Sequence, residues 1–143
     1  MRSFENMNKV FLDSDVILDF ILNREPFSNH ASAIFSLSES GKAKLYSSGL
    51  VFSNCYYILR KFTSHQKVIE TLKSLALMID FVAIHRQVVL DALHASFKDF
   101  EDAIQNAAAS SAGINVLLTR NTKDYKRSEL SVMTPEAYLA SYT

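Results

Sequence analysis

The chain has 143 residues, 48% of them hydrophobic, and its 15 basic and 15 acidic residues cancel to a formal net charge of zero. That length suits one domain with a sizeable core. No apolar run approaches the ~20 residues of a membrane helix, which argues against a membrane protein, and zero net charge leaves any nucleic-acid binding to local patches.

The opening MRSFENMNKV lacks the apolar stretch and small-residue cleavage site of a secretory signal, which points to the cytoplasm; residues 1–7 read as a frayed tail. KVFL, residues 9–12, is a short apolar run ending at Asp13 and reads as a buried strand, followed by a helix from about Val16 that Ser14 or Asp15 can cap. Pro26 in NREPF breaks that helix. SNHASAIFSLSESG places Ala31, Ile34 and Phe35 at helical spacing and stops at Gly41. KLYSSG reads as a second strand, and LVFSNCYYILRKF and HQKVIETLKSLALM as helices, the latter with Val68, Ile69, Leu72, Leu75 and Ala76 on one stripe. IDFVAIH is strand-like, RQVVLDALHAS helical, and FEDAIQNAAASSAG a further helix closing on Gly113. NVLLT and LSVMT read as the fourth and fifth strands, and PEAYLASY as a helix with proline in its first turn. Strands alternating with helices, without tight hairpin turns, predict an α/β fold with a parallel sheet covered on both faces. In such sheets ligand chemistry gathers at the carboxyl ends of the strands, where Asp13 lies.

Cys55 stands alone, which excludes internal disulfides and paired-cysteine zinc sites, and His30, His65, His85 and His94 lack metal-ligand spacing. Glycine occurs only at 41, 49 and 113, so there is no Gly-rich phosphate loop, and no G-x-S-x-G elbow for a serine nucleophile. Two basic groups, Arg60, Lys61, Lys67 and Lys73, then Arg120, Lys123, Lys126 and Arg127, suit a phosphate-contacting face as well as a solvated one.

What remains is carboxylates: Asp13 and Asp15 after the first strand, Asp99, Glu101 and Asp102 leading into a helix, and Asp124 within TRNTKDY. Asp99 to Asp102 and Asn121 to Asp124 also have the spacing of helix caps. Asp13 is different, because a carboxylate ending a buried strand needs partners or a metal. If adjacent strand ends gather Asp13, Asp102 and Asp124, their mutual repulsion calls for a cation, and an all-oxygen site suits Mg²⁺ or Mn²⁺. VFLDSDV supports a rival. It fits the first motif of haloacid-dehalogenase-like phosphatases, with Asp13 as nucleophile, Asp15 as acid/base and Thr119 as a second motif.

KVFLDSDVILDFILNREPF and DFEDAIQNAAASSAGINVLLTRNTKDY together resemble the two ends of a PIN domain, the nuclease fold of VapC-type toxins, with the resemblance running over about residues 8–134. The resemblance implies a single PIN-like domain over 1–143, a three-layer α/β/α fold with about five parallel strands, and Mg²⁺- or Mn²⁺-dependent hydrolysis of RNA. It further implies a homodimer neutralised by a small antitoxin protein. Residue by residue, Asp13, Asp102 and Asp124 match the metal-binding acids, and Asp99 is an added candidate. Thr119, Asn121 and Asp15 border the site, and Arg120 and Lys123 would steer RNA. The chain departs from the pattern at Asn54, where the family commonly has glutamate; Asp99 is the candidate to supply that carboxylate. The uncharged Asn54 also admits a catalytically degenerate domain that binds RNA or a protein partner.

Overall fold

The structure, a computed structural model, describes residues 8–141; the tail expected at residues 1–7 lies outside the described residues. Strand β1 (Lys9–Leu12) leads into α1 (Ser14–Ile21) and α2 (Ser28–Glu39), and β2 (Lys44–Ser48) into α3 (Gly49–Leu59) and α4 (His65–Ala76). Then come β3 (Ile79–Val82), α5 (Arg86–His94), α6 (Phe100–Ser111), β4 (Val116–Leu118), a 3₁₀ turn (Thr122–Tyr125), β5 (Ser131–Met133) and α7 (Pro135–Ala140). The five strands form one sheet in the order β3-β2-β1-β4-β5, and every pairing is parallel. This is the expected α/β/α architecture with its expected strand number.

After β3 the chain crosses back over the sheet to lay β4 on the far side of β1. Right-handed crossovers then put the later helices on the face opposite the earlier ones, and the strand order reverses between β1 and β4. The carboxyl ends of those two strands therefore flank a cleft.

Burial explains the short strands. Val10, Phe11 and Leu12 are all fully buried, as a central strand covered on both faces requires. Around them pack Val16 and Ile17 of α1, Ile34 and Phe35 of α2, Val51 and Cys55 of α3, and Ala108 of α6. The rings of Phe20 and Phe35 stack at 4.1 Å and tie α1 to α2. Helices α2 and α6 are followed by Gly41 and Gly113, each at φ +76°, a left-handed turn that glycine adopts without strain. Pro135 takes the first position of α7, where a missing N–H costs nothing, and Thr134 caps it.

Two local expectations are corrected. Helix α1 begins at Ser14, two residues early, and its N-cap is Asp13, whose side chain accepts from the Ser14 N–H, in place of Ser14 or Asp15. On α4 only Val68 and Leu75 of the five-residue stripe are buried, because this helix covers the β3 edge of the sheet and not its centre. Among the described residues, no helix is long and apolar enough to cross a membrane.

Candidate active site at the β1–β4 switch point

Asp13 follows the last residue of β1, and Thr119 follows the last residue of β4. The two segments are joined by the Asp13 backbone N–H, which donates to the Leu118 carbonyl at 3.0 Å. Thr119 is fully buried, and its Oγ1 lies 3.1 Å from Asp13 Oδ2 and 3.2 Å from Asp15 Oδ2. A hydroxyl has one proton, so it serves one carboxylate at a time unless the other is itself protonated.

Tyr125, at the end of the 3₁₀ turn, repeats the arrangement. Its buried hydroxyl lies 3.1 Å from Asp13 Oδ2 and 3.3 Å from Asp102 Oδ1. Burial first, then the charges of Asp13 and Asp102, push this phenol well above its ordinary range, so it stays a donor. Asp102 stands in the first turn of α6, where the Asp99 carboxylate caps the helix by accepting from the Asp102 N–H at 3.0 Å. The cap expected at Asp99 is thus present. The one expected at Asn121 is not made by its side chain: Asp124 N donates to the Asn121 backbone carbonyl at 3.0 Å, while Asn121 Nδ2 reaches toward Asp15 at 3.5 Å.

The carboxylates sense one another. Asp102 is raised to about 7, by desolvation first and then by the charges of Asp13, Asp99 and Asp124. Asp13 is raised chiefly by burial and further by Asp99, against lowering by bonds from Ser14, Thr119 and Tyr125. Asp15 is raised to about 6 by burial and the Asp13 charge. Beside this cluster opens a cavity of about 450 Å³ lined by Asp99, Asp102 and Asp124 together with Lys98, Lys123, Lys126 and Arg127. Lys123 therefore stands where expected, at the cleft.

Arg120 is placed differently. Its guanidinium grips Asp19, with Nε 2.7 Å from Oδ2, and lies 3.9 Å over the ring of Phe27, so its charge is committed within the fold. Arg24 holds the other oxygen of Asp19 at 2.8 Å, and the Asp19 carboxylate is 1% exposed. The reading of motifs missed this pair of bridges. A signal existed, since Asp19 is the only charge within the run VILDFIL. Asp15 is also more than a helix residue: its Oδ2 accepts from the Arg120 backbone N–H at 2.8 Å. Asn54 meets a carboxylate after all, as its Nδ2 donates to Glu101 Oε2 at 2.7 Å.

As the side chains stand, no three histidine, cysteine or carboxylate groups among the described residues are disposed to grip one ion. The donor chemistry nonetheless fits a hard divalent cation. Asp13, Asp99, Asp102 and Asp124 offer oxygen only, the charges of neighbouring aspartates add to the raised proton affinity of Asp13 and of Asp102, and the nearby thiol of Cys55 is buried and pushed up to about 12. Asp15 Oδ1 is in addition buried with no hydrogen-bond partner.

Fold and cleft together define a parallel α/β domain whose switch point is lined with carboxylates and rimmed with lysines. Residues 9–123 match the PIN domain family, and the chain belongs to it. It is similar to Ribonuclease VapC1 of Aquifex aeolicus, 25% identical over 138 residues that span 93% of this chain and 94% of that one. Among solved structures it resembles a toxin-antitoxin complex from Klebsiella pneumoniae, with a TM-score of 0.67, 21% identity, and coverage of 88% of this chain and 97% of that one. It also resembles VapBC2 from Rickettsia felis bound to a promoter DNA fragment, with a TM-score of 0.67, 13% identity, and coverage of 87% and 96%. Family membership displaces the phosphatase reading. In the geometry, too, Asp15 faces Thr119 and the Arg120 N–H and not the open cleft, which leaves it badly placed as a general acid.

Proposed function

We propose that this chain is a Mg²⁺- or Mn²⁺-dependent endoribonuclease, one PIN-like domain acting as the toxin of a toxin–antitoxin pair. The observation that carries it is the union of Asp13 and Asp102 through one tyrosine hydroxyl at the switch point, in a cleft that also holds Asp99, Asp124 and four basic side chains. Asp13, Asp102 and Asp124, with Asp99, are the residues that would hold the cation. When bound, such an ion supplies Lewis-acid polarisation of the phosphodiester and a more acidic attacking water.

The protein's own groups supply position and charge. Thr119 and Tyr125 orient Asp13 by donating to Oδ2, and Asp99 fixes the start of α6 and so the place of Asp102. Lys98, Lys123, Lys126 and Arg127 attract the RNA backbone, a contribution that weakens with salt. The VapC1 relative is called a ribonuclease and the Klebsiella structure a toxin–antitoxin complex, which supports RNA as substrate and an antitoxin protein as partner; a second copy in a homodimer completes the proposed assembly. Tyr57, Phe62 and Leu77, on and beside α3 and α4, are 68%, 68% and 89% exposed and are apolar side chains open to a protein partner.

The test is cleavage of a mixed RNA pool with and without Mn²⁺. Asp13→Asn is expected to abolish metal-dependent cleavage and Asp15→Asn to spare most of it. RNA bound at high affinity but left uncut at saturating Mn²⁺ would refute the nuclease and favour the degenerate binding domain that the uncharged Asn54 suggests.

A further inference from the structure

Glu101 lies on α6 one residue before Asp102, and the bond it accepts from Asn54 on α3 joins residues 47 positions apart. The tertiary fold, not local chain geometry, makes that contact. A second tie lies one turn along: Ser48 Oγ donates to Gln105 Oε1 at 2.8 Å in the interior. Residues four apart share a helix face, so the face of α6 that carries Glu101 and Gln105 is docked against the end of β2 and α3. The direction of the Glu101 side chain is set by that docking.

This stretch of α3 borders the acidic cluster. The thiol of Cys55, next to Asn54, is raised by burial and then by the charges of Asp13 and Asp15. The amide of Asn54 brings a donor and no charge, and it spends that donor on Glu101 Oε2, leaving Oε1 without a bond among the described residues. Asp99 is in the same position, with Oδ1 accepting from the N–H of Asp102 and Oδ2 without a bond among the described residues. We propose that Glu101, aimed by Asn54, is a further carboxylate that holds the divalent cation, so that the charge absent from α3 is delivered from α6. The inference rests on the metal-dependent reading above. Glu101→Gln keeps an oxygen for the Asn54 amide and removes only the charge. Exchanging the charge across the contact, as in Asn54→Glu combined with Glu101→Gln, returns a carboxylate to the same region.

The experiment measures Mn²⁺ binding to the full RNA-free chain by titration calorimetry and by electron paramagnetic resonance, with urea midpoints recorded for every variant. Asp13→Asn is expected to lose binding. Glu101→Gln should weaken it by ~10-fold or more, the scale of lost metal-site partners, and the charge-exchanged double variant should recover most of that loss. Binding lost in Asp13→Asn but unchanged in Glu101→Gln overturns the role of Glu101 and leaves the metal site standing. So does an equal loss in Glu101→Gln and the double variant at unchanged urea midpoints. A wild-type chain that takes up no Mn²⁺ overturns both readings together.

Discussion

Asp102→Asn should make the metal-free protein more stable at pH 8. The Asp102 carboxyl is raised from 3.8 to about 7 in the fold, by desolvation and by three neighbouring aspartates. A group that binds its proton more tightly folded than unfolded contributes stability that is complete below the unfolded value and is lost as pH rises through the folded one. Here the loss runs from about pH 4 to about pH 7. Three pH units correspond to about 4 kcal/mol, and the half-exposed position of the side chain reduces this to about 1–2 kcal/mol through solvent screening. Asparagine keeps Oδ1 as an acceptor for Tyr125 and carries no charge, so the variant should gain that amount over wild type at pH 8 and clearly less at pH 5. Urea unfolding in EDTA at both pH values measures it. Saturating Mn²⁺ at pH 8 should reverse the order, because the ion stabilises only the chain that binds it tightly. A variant less stable than wild type at pH 8 in EDTA, or one with equal gains at both pH values, would refute the electrostatic account.

Tyr125→Phe preserves a ring that is 2% exposed and removes the hydroxyl shared by two carboxylates; a loss of about 1 kcal/mol in urea unfolding is expected. Asp19→Ala leaves Arg24 and Arg120 without their shared buried partner and should cost about 3–5 kcal/mol by the same measurement. Ser48→Ala removes both the cap of α3 and the bond to Gln105, and about 1–2 kcal/mol should follow. Replacing Lys123 and Lys126 with alanine should weaken RNA binding at low salt and flatten its salt dependence by about one unit per lost phosphate contact, read from filter binding across a salt series.

The elements were legible because their signals are local. KVFL ends at a carboxylate, SESG and SSAG end in glycine, and Pro135 opens a helix, so each boundary is written within a few residues. Helix α1 escaped by two residues because Asp13, singled out for chemistry, also serves as its cap. The gathering of Asp13 and Asp102 was foreseeable from the parallel sheet and its switch point. The joining of those acids by the Tyr125 hydroxyl was not, since a tyrosine after an aspartate says nothing of where its oxygen points. Asn54 and Glu101 illustrate the same limit: the sequence marks one as an amide where glutamate is common and the other as a carboxylate leading into a helix, but only the docking of α3 on α6 turns them into a pair. Arg120 shows the reverse case, a basic residue beside a predicted site whose charge is consumed by a buried aspartate from another helix.

The bonds that assemble the cleft span unusually long stretches of chain: Asp13 to Thr119 across 106 residues and Asp13 to Tyr125 across 112. Loop closure must be met before such contacts stabilise anything, and parallel sheets of this kind fold slowly for that reason. The carboxylate cluster is therefore complete only once β4 is docked on β1. Any partial opening that frees β4 and the turn after it takes away Thr119 and Tyr125 together, while β1, β2 and β3 can remain paired. Whatever chemistry the cleft performs therefore requires β4 and the turn after it to be docked beside β1.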